Sequence, residues 1–511
     1  MLLSDVVDTS RTVAQTASRT AKVSALATAL AAAAAEGGAT IEVVAAYLAG
    51  VLPQRRVGVS WRGLQGLPPP ADSATLTVAD VDAAASALAG LAGPGSSARR
   101  TEALHGLFAR ATAAEQRWLV GLLTGETRQG AADGVALQAI ARAADVPEPA
   151  VRRAVMLAGH AGPVARAALT GGTEALSAIA LEVGRPLRPM LAGSAPDVAA
   201  ALAALAGEVA VETKLDGIRL QAHVEDGRVA LFTRTLEEVT DRMPEITEAL
   251  AGLPIRRAVL DGEVLALTAD GRPQPFQVTG ARTASTADPA RLRAQVPLTP
   301  YFFDLLHLDG EDLLDAPAAL RWERLAGAVP PQWLVPRTTT SRVQQAEAFF
   351  AEQVAAGHEG VVVKDPGLPY AAGRRGPGWV KVKPRHTLDL VVLAVEEGSG
   401  RRREWLSNIH LGARDAATGE LVMLGKTFKG MTDEMLRWQT ERFASLETSR
   451  TGSVVHVRPE QVVEIAFDGV QRSSRYPGGM ALRFARVVRY RHDKPVSEID
   501  TTETVRSLAG W

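Results

Sequence analysis

The feature that most limits the possible folds is a change in the spacing of apolar residues near residue 195. Before that point, Ala, Leu and Val recur at helical spacing, as in SRTAKVSALATALAAAAA, TVADVDAAASALAGLAG and AAEQRWLVGLLTG. After it, short β-branched and apolar runs appear, as in EVAVETKLDG, RVALFTR and EGVVVKD. Because helices repeat every 3.6 residues and strands every two, the change marks a change of fold class. We therefore predict a multidomain protein that begins with an all-α domain.

The chain is long enough for about three domains. We predict an all-α domain over residues 1–195, an α+β domain of antiparallel strands over 196–384, and a small β-barrel over 385–511. Within the first domain, Pro- and Gly-rich segments at 67–72 and 93–97 separate helix pairs. The segment GRPLRPMLAG marks the exit into the second domain. For the barrel, the OB-fold is the interpretation that we favour.

Composition excludes several classes of protein. The chain has no cysteine, which excludes disulfides and thiolate metal sites and leaves oxygen or imidazole ligands, as Mg²⁺ prefers. No apolar run approaches the roughly 20 residues that span a bilayer, and the N-terminus has acids where a signal peptide has basic residues. A net charge of -1 gives no global attraction to nucleic acid. We expect a cytoplasmic monomer without a membrane partner, in which local basic patches bind any nucleic acid.

Lysine is scarce, so each lysine is informative. Of 56 basic residues only eight are lysine, and seven of these follow residue 200. Arginine is the better bidentate phosphate ligand, but it does not give up its proton to act as a nucleophile. Lysine is therefore expected where a nucleophile or a compact charge is needed. The alternative is drift in an arginine-rich sequence.

Lys214 is the main candidate nucleophile. It lies in ETKLDGIR, where an apolar strand ends and Asp-Gly follows. A free lysine is protonated at neutral pH, so neighbouring cations or partial burial are needed to activate it. Lys381 and Lys383 in WVKVKP are two apart on a strand and could supply those cations. The alternative is that Asp-Gly is only a hairpin turn, since Leu-Asp-Gly recurs at 260–262 and 308–310.

The order of further motifs favours the functional interpretation. Seven segments occur in order along the chain: ETKLDGIR, LFTR, LDGEVLAL, YFFDLLHLDG, EGVVVKD, WVKVKP and RFARVVRYRHDK. In these segments the sequence resembles the covalent nucleotidyltransferase superfamily and, within it, the ATP-dependent DNA ligases of the bacterial type with a helical DNA-binding domain. It implies that residues 1–195 bind DNA, that 196–384 form the adenylation domain and that 385–511 form the OB-fold domain. The implied activity is the sealing of 3′-hydroxyl/5′-phosphate nicks in duplex DNA through lysyl-AMP and DNA-adenylate intermediates, in replication, repair or recombination.

The resemblance also implies roles for residues at the nucleotide. Lys214 would attack the α-phosphate of ATP. Glu212 and Phe303 would form the adenine pocket, with Phe303 stacked on the base. Glu263 would bind the ribose hydroxyls or a metal, and Glu359 would coordinate Mg²⁺; hard oxygen ligands suit that ion.

Phosphate ligands are implied in the same way. Lys381 and Lys383 would bind the α-phosphate, and Arg219 and Arg234 would contact AMP and the 5′-phosphate of the nick, a task that suits a guanidinium. The C-terminal motif residues that would orient the pyrophosphate are Arg491, Asp493 and Lys494. One departure from the family pattern is TRTLEEVT, where relatives often have Asn-Gly after the arginine that corresponds to Arg234.

Clustered basic residues predict phosphate contacts. Seven cations and one acid lie between Arg472 and Lys494, a net charge of +6. We name this segment the C-terminal arginine stripe. Two other basic stretches comprise Arg374, Arg375, Lys381, Lys383 and Arg385, and Arg401, Arg402 and Arg403.

Alternatives remain for parts of this interpretation. EGVVVKD could be one more buried strand with Lys364 in solvent, and Phe303 could be a core residue. NAD-dependent ligases have a four-cysteine zinc site and lack the C-terminal Arg-x-Asp-Lys motif, which disfavours that class here. RNA ligases and capping-type nucleotidyltransferases share the lysine motif but not the helical domain. The remaining alternative is a catalytically silent DNA-binding scaffold.

Overall fold

The computed structural model describes residues 1–54, 57–127, 133–205, 207–285, 287–371, 375–399 and 402–509. The chain divides into two compact units, Met1–Lys381 and Val382–Trp511. The predicted boundary at residue 195 falls inside the first unit, and the division into three domains stays a prediction.

Helices dominate the first part of the first unit. Two of them begin at capping boxes: Thr77 with Asp80, and Thr112 with Glu115. The helices are α1 Leu3–Gln15, α2 Arg19–Ala34, α3 Gly38–Leu48, α4 Val78–Gly90, α5 Ser96–Ala109, α6 Ala113–Thr124, α7 Asp133–Ala144, α8 Glu148–Ala158 and α9 Ala161–Ser177. They share one apolar core that includes Leu3, Tyr47 and Phe108, each 0% exposed. The helical N-terminal region is confirmed. The break at 67–72 lies between helices as predicted, and the break at 93–97 follows α4 but includes the first two residues of α5.

Two five-stranded sheets form the rest of the first unit. Their strands are β1 Leu191–Ser194, β2 Val209–Lys214, β3 Ile218–Glu225, β4 Arg228–Thr233, β5 Arg257–Ala266, β6 Leu298–Leu308, β7 Glu311–Asp312, β8 Arg337–Thr340, β9 Gly360–Lys364 and β10 Arg375–Val382. One sheet has the order β1-β10-β9-β2-β8 and the other β4-β3-β5-β6-β7. The intervening helices are α10 Val198–Leu205, α11 Pro244–Ala251, α12 Phe276–Ala284, α13 Pro289–Gln295, α14 Ala318–Ala328 and α15 Val343–Ala355. This is the predicted α+β pattern.

One strand falls inside the segment that we predicted to be all α. Strand β1 lies before residue 195 and pairs in parallel with β10. The short run LAGS lacks the length and the β-branched residues that predict a strand. Pairing with a strand almost two hundred residues away defines it instead.

The second unit is rich in strands. They are β11 His386–Glu397, β12 Leu406–Arg414, β13 Leu421–Thr427, β14 Glu447–Thr451, β15 Val454–Val457, β16 Val462–Phe467, β17 Gly469–Arg472, β18 Met480–Arg483 and β19 Arg486–Arg491, with helices α16 Asp433–Leu446 and α17 Thr502–Ala509. Strands β13-β12-β11-β15-β14 pair in that order, and β16 joins β11 to β19. Among the described residues, the pairings do not close this sheet into a barrel. The sheet-rich region is confirmed in this coarser form.

No described helix combines the length and the apolar character that a membrane span requires.

Candidate active site

Strand register brings Glu359 to Lys214. Lys214 is the last residue of β2 and lies opposite Gly360, the first residue of β9. The backbone N–H of Glu359 therefore donates to the carbonyl of Lys214 at 3.0 Å. The Glu359 carboxylate forms an ion pair with Lys214 Nζ, and both side chains are largely buried. The candidate nucleophile thus lies at a strand end, as predicted.

Gly217 in the lysine motif allows a close backbone approach. A Cβ at this position would lie 2.2 Å from the carbonyl oxygen of Val264, so a side chain does not fit. The Gly217 N–H donates to Glu263 Oε1 at 2.9 Å. Strands β2 and β3, on either side of the lysine motif, belong to different sheets, and residues 260–262 lie within β5. A hairpin turn therefore fits only the last Leu-Asp-Gly, between β6 and β7, where Asp309 has φ 46° and Gly310 has φ 99°.

Arg219 is buried against a carboxylate. Its Nε donates to Asp261 Oδ1 at 2.6 Å, and the hydroxyl of Tyr370 donates to Asp261 Oδ2 at 2.7 Å. Burial, the largest influence, would lower the pKa of Arg219, but the charge and the hydrogen bond of Asp261, together with the neighbouring Tyr370 and Glu263, outweigh it and the pKa is raised. Opposite Arg219 on β5, burial raises the pKa of Glu263, while the charges of Lys214 and Arg219 oppose that change.

Glu212 contacts two cations, one partly buried and one fully buried. Arg337 lies opposite it on β8 and donates from Nε to Glu212 Oε1 at 2.7 Å. Lys364 Nζ forms an ion pair with the other carboxylate oxygen, and both of these side chains are 2% exposed. Burial lowers the pKa of Lys364, and the charge of Glu212 opposes this. The interpretation of Lys364 as a solvent-exposed residue is wrong.

Aromatic rings lie beside these charges. Phe303 and Trp379 pack edge to face, with ring centroids 5.8 Å apart. The Arg219 guanidinium carbon is 4.6 Å from the Phe303 ring centroid, and Lys364 Nζ is 4.5 Å from it and 4.0 Å from the Trp379 centroid. Both rings line the cavity described next.

Most of the predicted residues line one cavity of about 800 Å³. This volume suits a nucleotide-sized ligand. We call it the nucleotide cavity. The predicted residues that line it are Glu212, Lys214, Arg219, Arg234, Glu263, Phe303 and Lys381. Glu359 joins them through its ion pair with Lys214.

The other predicted residues belong to the second unit. Lys383 follows the end of β10, and its Nζ donates to Asp468 at 3.1 Å. Arg491 Nη1 and Lys494 Nζ both donate to Asp389 Oδ2, at 2.9 and 2.8 Å. The hydrogen bond from Arg491 lowers the pKa of Asp493.

Carboxylates from neighbouring strands lie against the C-terminal arginine stripe. Arg489 Nε donates to Glu464 at 2.7 Å, and Arg486 lies 3.5 Å from Asp468. Because these acids precede the stripe in sequence, the +6 count overstates its charge in space. Arg374 and Arg401 of the other basic stretches lie outside the described residues.

Sequence reasoning missed several residues of the nucleotide cavity and its surroundings: Asp261, Arg337, Tyr370 and Trp379. Asp261 lies inside LDGEVLAL and Trp379 is the first residue of WVKVKP, so both lie within motifs that the sequence analysis singled out. For Arg337 no local signal existed, because its partner Glu212 is 125 residues away.

The carboxylates present fit a magnesium ion that also binds phosphate. Among the described residues, no group of three or more His, Cys, Asp or Glu could hold a metal alone. Glu263 and Glu359 are close enough that the charge of Glu359 adds to the raised pKa of Glu263. A cation between them would relieve that repulsion. Mg²⁺ commonly takes one or two carboxylates and completes its shell with water and phosphate oxygens.

Family models match all three parts of the chain. The ATP dependent DNA ligase domain matches residues 189–383, the ATP dependent DNA ligase C terminal region 402–494, and the DNA ligase N terminus 62–141. A probable DNA ligase of Nocardioides sp. is 60% identical over 513 residues, covering 100% of this chain and 99% of its own length. DNA ligase B of Mycobacterium tuberculosis is 53% identical over 509 residues, covering 99% of this chain and 100% of its own.

One solved structure resembles the fold over nearly the whole length. The structure described as Pmar-Lig_Pre. aligns with a TM-score of 0.61, covering 96% of this chain and 99% of its own. At 19% identity this likeness concerns the fold alone.

Proposed function

The chain belongs to the ATP-dependent DNA ligase family, an enzyme family that forms phosphodiester bonds, and we propose that it seals nicks in duplex DNA through AMP stored on Lys214. The observation that supports this most directly is the convergence of Lys214, Glu263, Phe303 and Lys381 on one nucleotide-sized cavity. Glu359 lies against the lysine amine.

The first step joins AMP to the enzyme. Lys214 Nζ gives up a proton to solvent and attacks the α-phosphorus of ATP, a phosphorus–nitrogen bond forms, and the bond to pyrophosphate breaks. Lys381 lies in the wall of the same cavity and would neutralise the α-phosphate. Arg491 and Lys494 would orient the leaving pyrophosphate.

Two further transfers complete the reaction. An oxygen of the 5′-phosphate at the nick attacks the AMP phosphorus, and Lys214 leaves. The 3′-hydroxyl then attacks the activated 5′-phosphate, and AMP leaves as the phosphodiester forms. Both steps need strand ends held in line, because a misplacement of about 1 Å can cost on the order of 100-fold in rate.

The remaining assignments follow from this function. Glu212 and Phe303 would bind adenine, and Arg219 and Arg234 would bind AMP and the 5′-phosphate. Glu263 and Glu359 would hold Mg²⁺, which when bound supplies charge neutralisation at the phosphates. We further propose that residues 1–195 bind duplex DNA, that 196–384 form the adenylation domain, that 385–511 form an OB-fold, and that the enzyme acts as a monomer.

Labelling with α-labelled ATP tests the proposal. With Mg²⁺ the protein should become covalently labelled, and Lys214→Ala and Lys214→Arg should both remove the label, since arginine keeps its proton. The matched control is Lys22→Arg in the helical region, which should label normally. Chelation of Mg²⁺ should prevent labelling. Persistence of the label in Lys214→Arg, or labelling by GTP or NAD in place of ATP, would contradict the assignment.

A further inference from the structure

Leu236 has an unfavourable backbone conformation. It is one of five described non-glycine residues with positive φ, and three of the others are aspartates, which tolerate this region. A branched apolar residue does not, because its Cβ crowds the following carbonyl. Leu236 nevertheless has φ 63° and is 7% exposed. Burial of its side chain must therefore offset the backbone strain.

The side chain of Leu236 is buried against the helical region. A Cβ placed on Gly159 would lie 3.0 Å from Leu236 Cδ1, so the two residues lie close together. Gly159 is the C-cap of α8. A second cavity, of about 840 Å³, is lined by residues of the helical region together with Thr235, Leu236 and Glu237.

The turn that contains Leu236 also borders the nucleotide cavity. Arg234, Thr235 and Glu237 line that cavity. The turn is closed by hydrogen bonds from Thr233 N to the Glu237 carbonyl and from Leu236 N to the Thr233 carbonyl, both 2.9 Å. Arg234 and Leu236 are thus two residues apart on one short turn, between the nucleotide cavity and the helical region.

We propose that Leu236 is a positioning residue that holds Arg234 at the nucleotide cavity by anchoring the 233–237 turn to the end of α8. The inference rests on the proposed function, in which Arg234 binds the 5′-phosphate of the nick. Leu236 itself touches no reacting atom. Its anchoring links the region that binds duplex DNA to the arginine that receives the nick. The anchoring also explains why leucine occupies a position with positive φ, a backbone conformation that favours Asn or Gly.

Transfer of AMP from the adenylated enzyme to a nicked duplex is the reaction to measure, in single turnover. Leu236→Gly and Leu236→Asn suit the backbone but lack the apolar side chain, and both should slow transfer at least 10-fold. Leu236→Met keeps an apolar side chain and should stay within threefold of the parent. Lysine adenylation should change less than threefold in all of them. Gly159→Ala, which crowds Leu236 from the α8 side, should also slow transfer.

A double-mutant cycle separates positioning from general damage to the fold. Arg234→Ala should slow transfer, and adding Leu236→Gly should then cost less than twofold more. Losses that multiply would overturn the proposal, as would a parent-like transfer rate in Leu236→Gly, Leu236→Asn or Gly159→Ala. A parent enzyme that becomes adenylated but never transfers AMP to a nick would instead refute the proposed function, and the inference with it.

Discussion

Glu212 illustrates how the contribution of one residue to stability depends on the charges around it. One carboxylate contacts two cations, the partly buried Arg337 and the buried Lys364, and the lysine also lies over the Phe303 and Trp379 rings. A buried ion pair adds little net stability, but removing one member leaves the other charge uncompensated. Here the loss of stability should depend on which member is substituted. The carboxylate of Glu212 contacts two cations, whereas the two cations share that single carboxylate.

Substitutions in this cluster should therefore follow an order. Glu212→Ala leaves buried Lys364 and partly buried Arg337 without their carboxylate and should lower the free energy of unfolding by about 3–5 kcal/mol. Lys364→Met leaves Glu212 paired with Arg337, and about 1–3 kcal/mol is expected. Urea unfolding of the two variants beside the parent checks the order. Equal losses, or a larger loss in Lys364→Met, would show that Arg337 does not stabilise the carboxylate.

At the scale of elements, side chains of strand β3 accept hydrogen bonds from the segment that connects the helices to the sheets. Gly184 N–H donates to His223 Nδ1 at 2.9 Å, and Leu187 N–H donates to Gln221 Oε1 at 2.9 Å. His223 Nε2 lies 2.9 Å from the same Gln221 oxygen and donates to it. Nδ1 accepts and Nε2 donates, so the imidazole must be neutral.

This strand should make stability depend on pH. Burial lowers the pKa of His223 to about 3, while an unfolded chain has about 6.5. Between these values the unfolded state binds more protons, so stability falls as pH falls. From pH 7 to 5 the loss should be about 2 kcal/mol. His223→Asn keeps an acceptor for Gly184 but does not titrate.

The measurement is urea unfolding of parent and His223→Asn at several pH values. The variant should be less stable at pH 7, and its difference from the parent should shrink towards pH 5. Parallel stability curves for the two proteins would mean that His223 is protonated in the folded state or does not contribute.

At the scale of the whole molecule, the helical region and the sheets of the first unit share apolar packing. Met156 and Leu157 of α8, with Leu187 and Met190, belong to the same buried cluster as Phe303. Strand β1, before residue 195, completes one of the two sheets. Truncation at residue 195 would therefore expose part of the core of the two sheets of the first unit, so substitutions are the better test of the helical region.

Binding of nicked duplex should be strongly salt-dependent. The net charge of -1 gives no general attraction, so affinity must come from local phosphate contacts that release counterions. With about four such contacts, affinity should fall about 100-fold between 50 and 200 mM salt. Titration of Lys214→Ala with labelled nicked duplex measures this without turnover. A change below about threefold would argue against phosphate-dominated binding.

The sequence by itself determined most of the element types, though not that of strand β1, and it determined the order of the motifs and the position of Lys214 at a strand end. These follow from local rules, since the spacing of apolar residues and the residues at turns act over a few positions. The family resemblance added the residues expected at the nucleotide.

Only the tertiary structure decided which charges meet. Glu359 reaches Lys214 through the register of β2 and β9, and Arg337 reaches Glu212 through that of β2 and β8. The charge of the C-terminal arginine stripe is reduced by acids on other strands, and Leu236 is anchored by a distant helix. The physical reason is that the interaction energy of two charged side chains depends on their distance in space and on their burial, and local sequence determines neither.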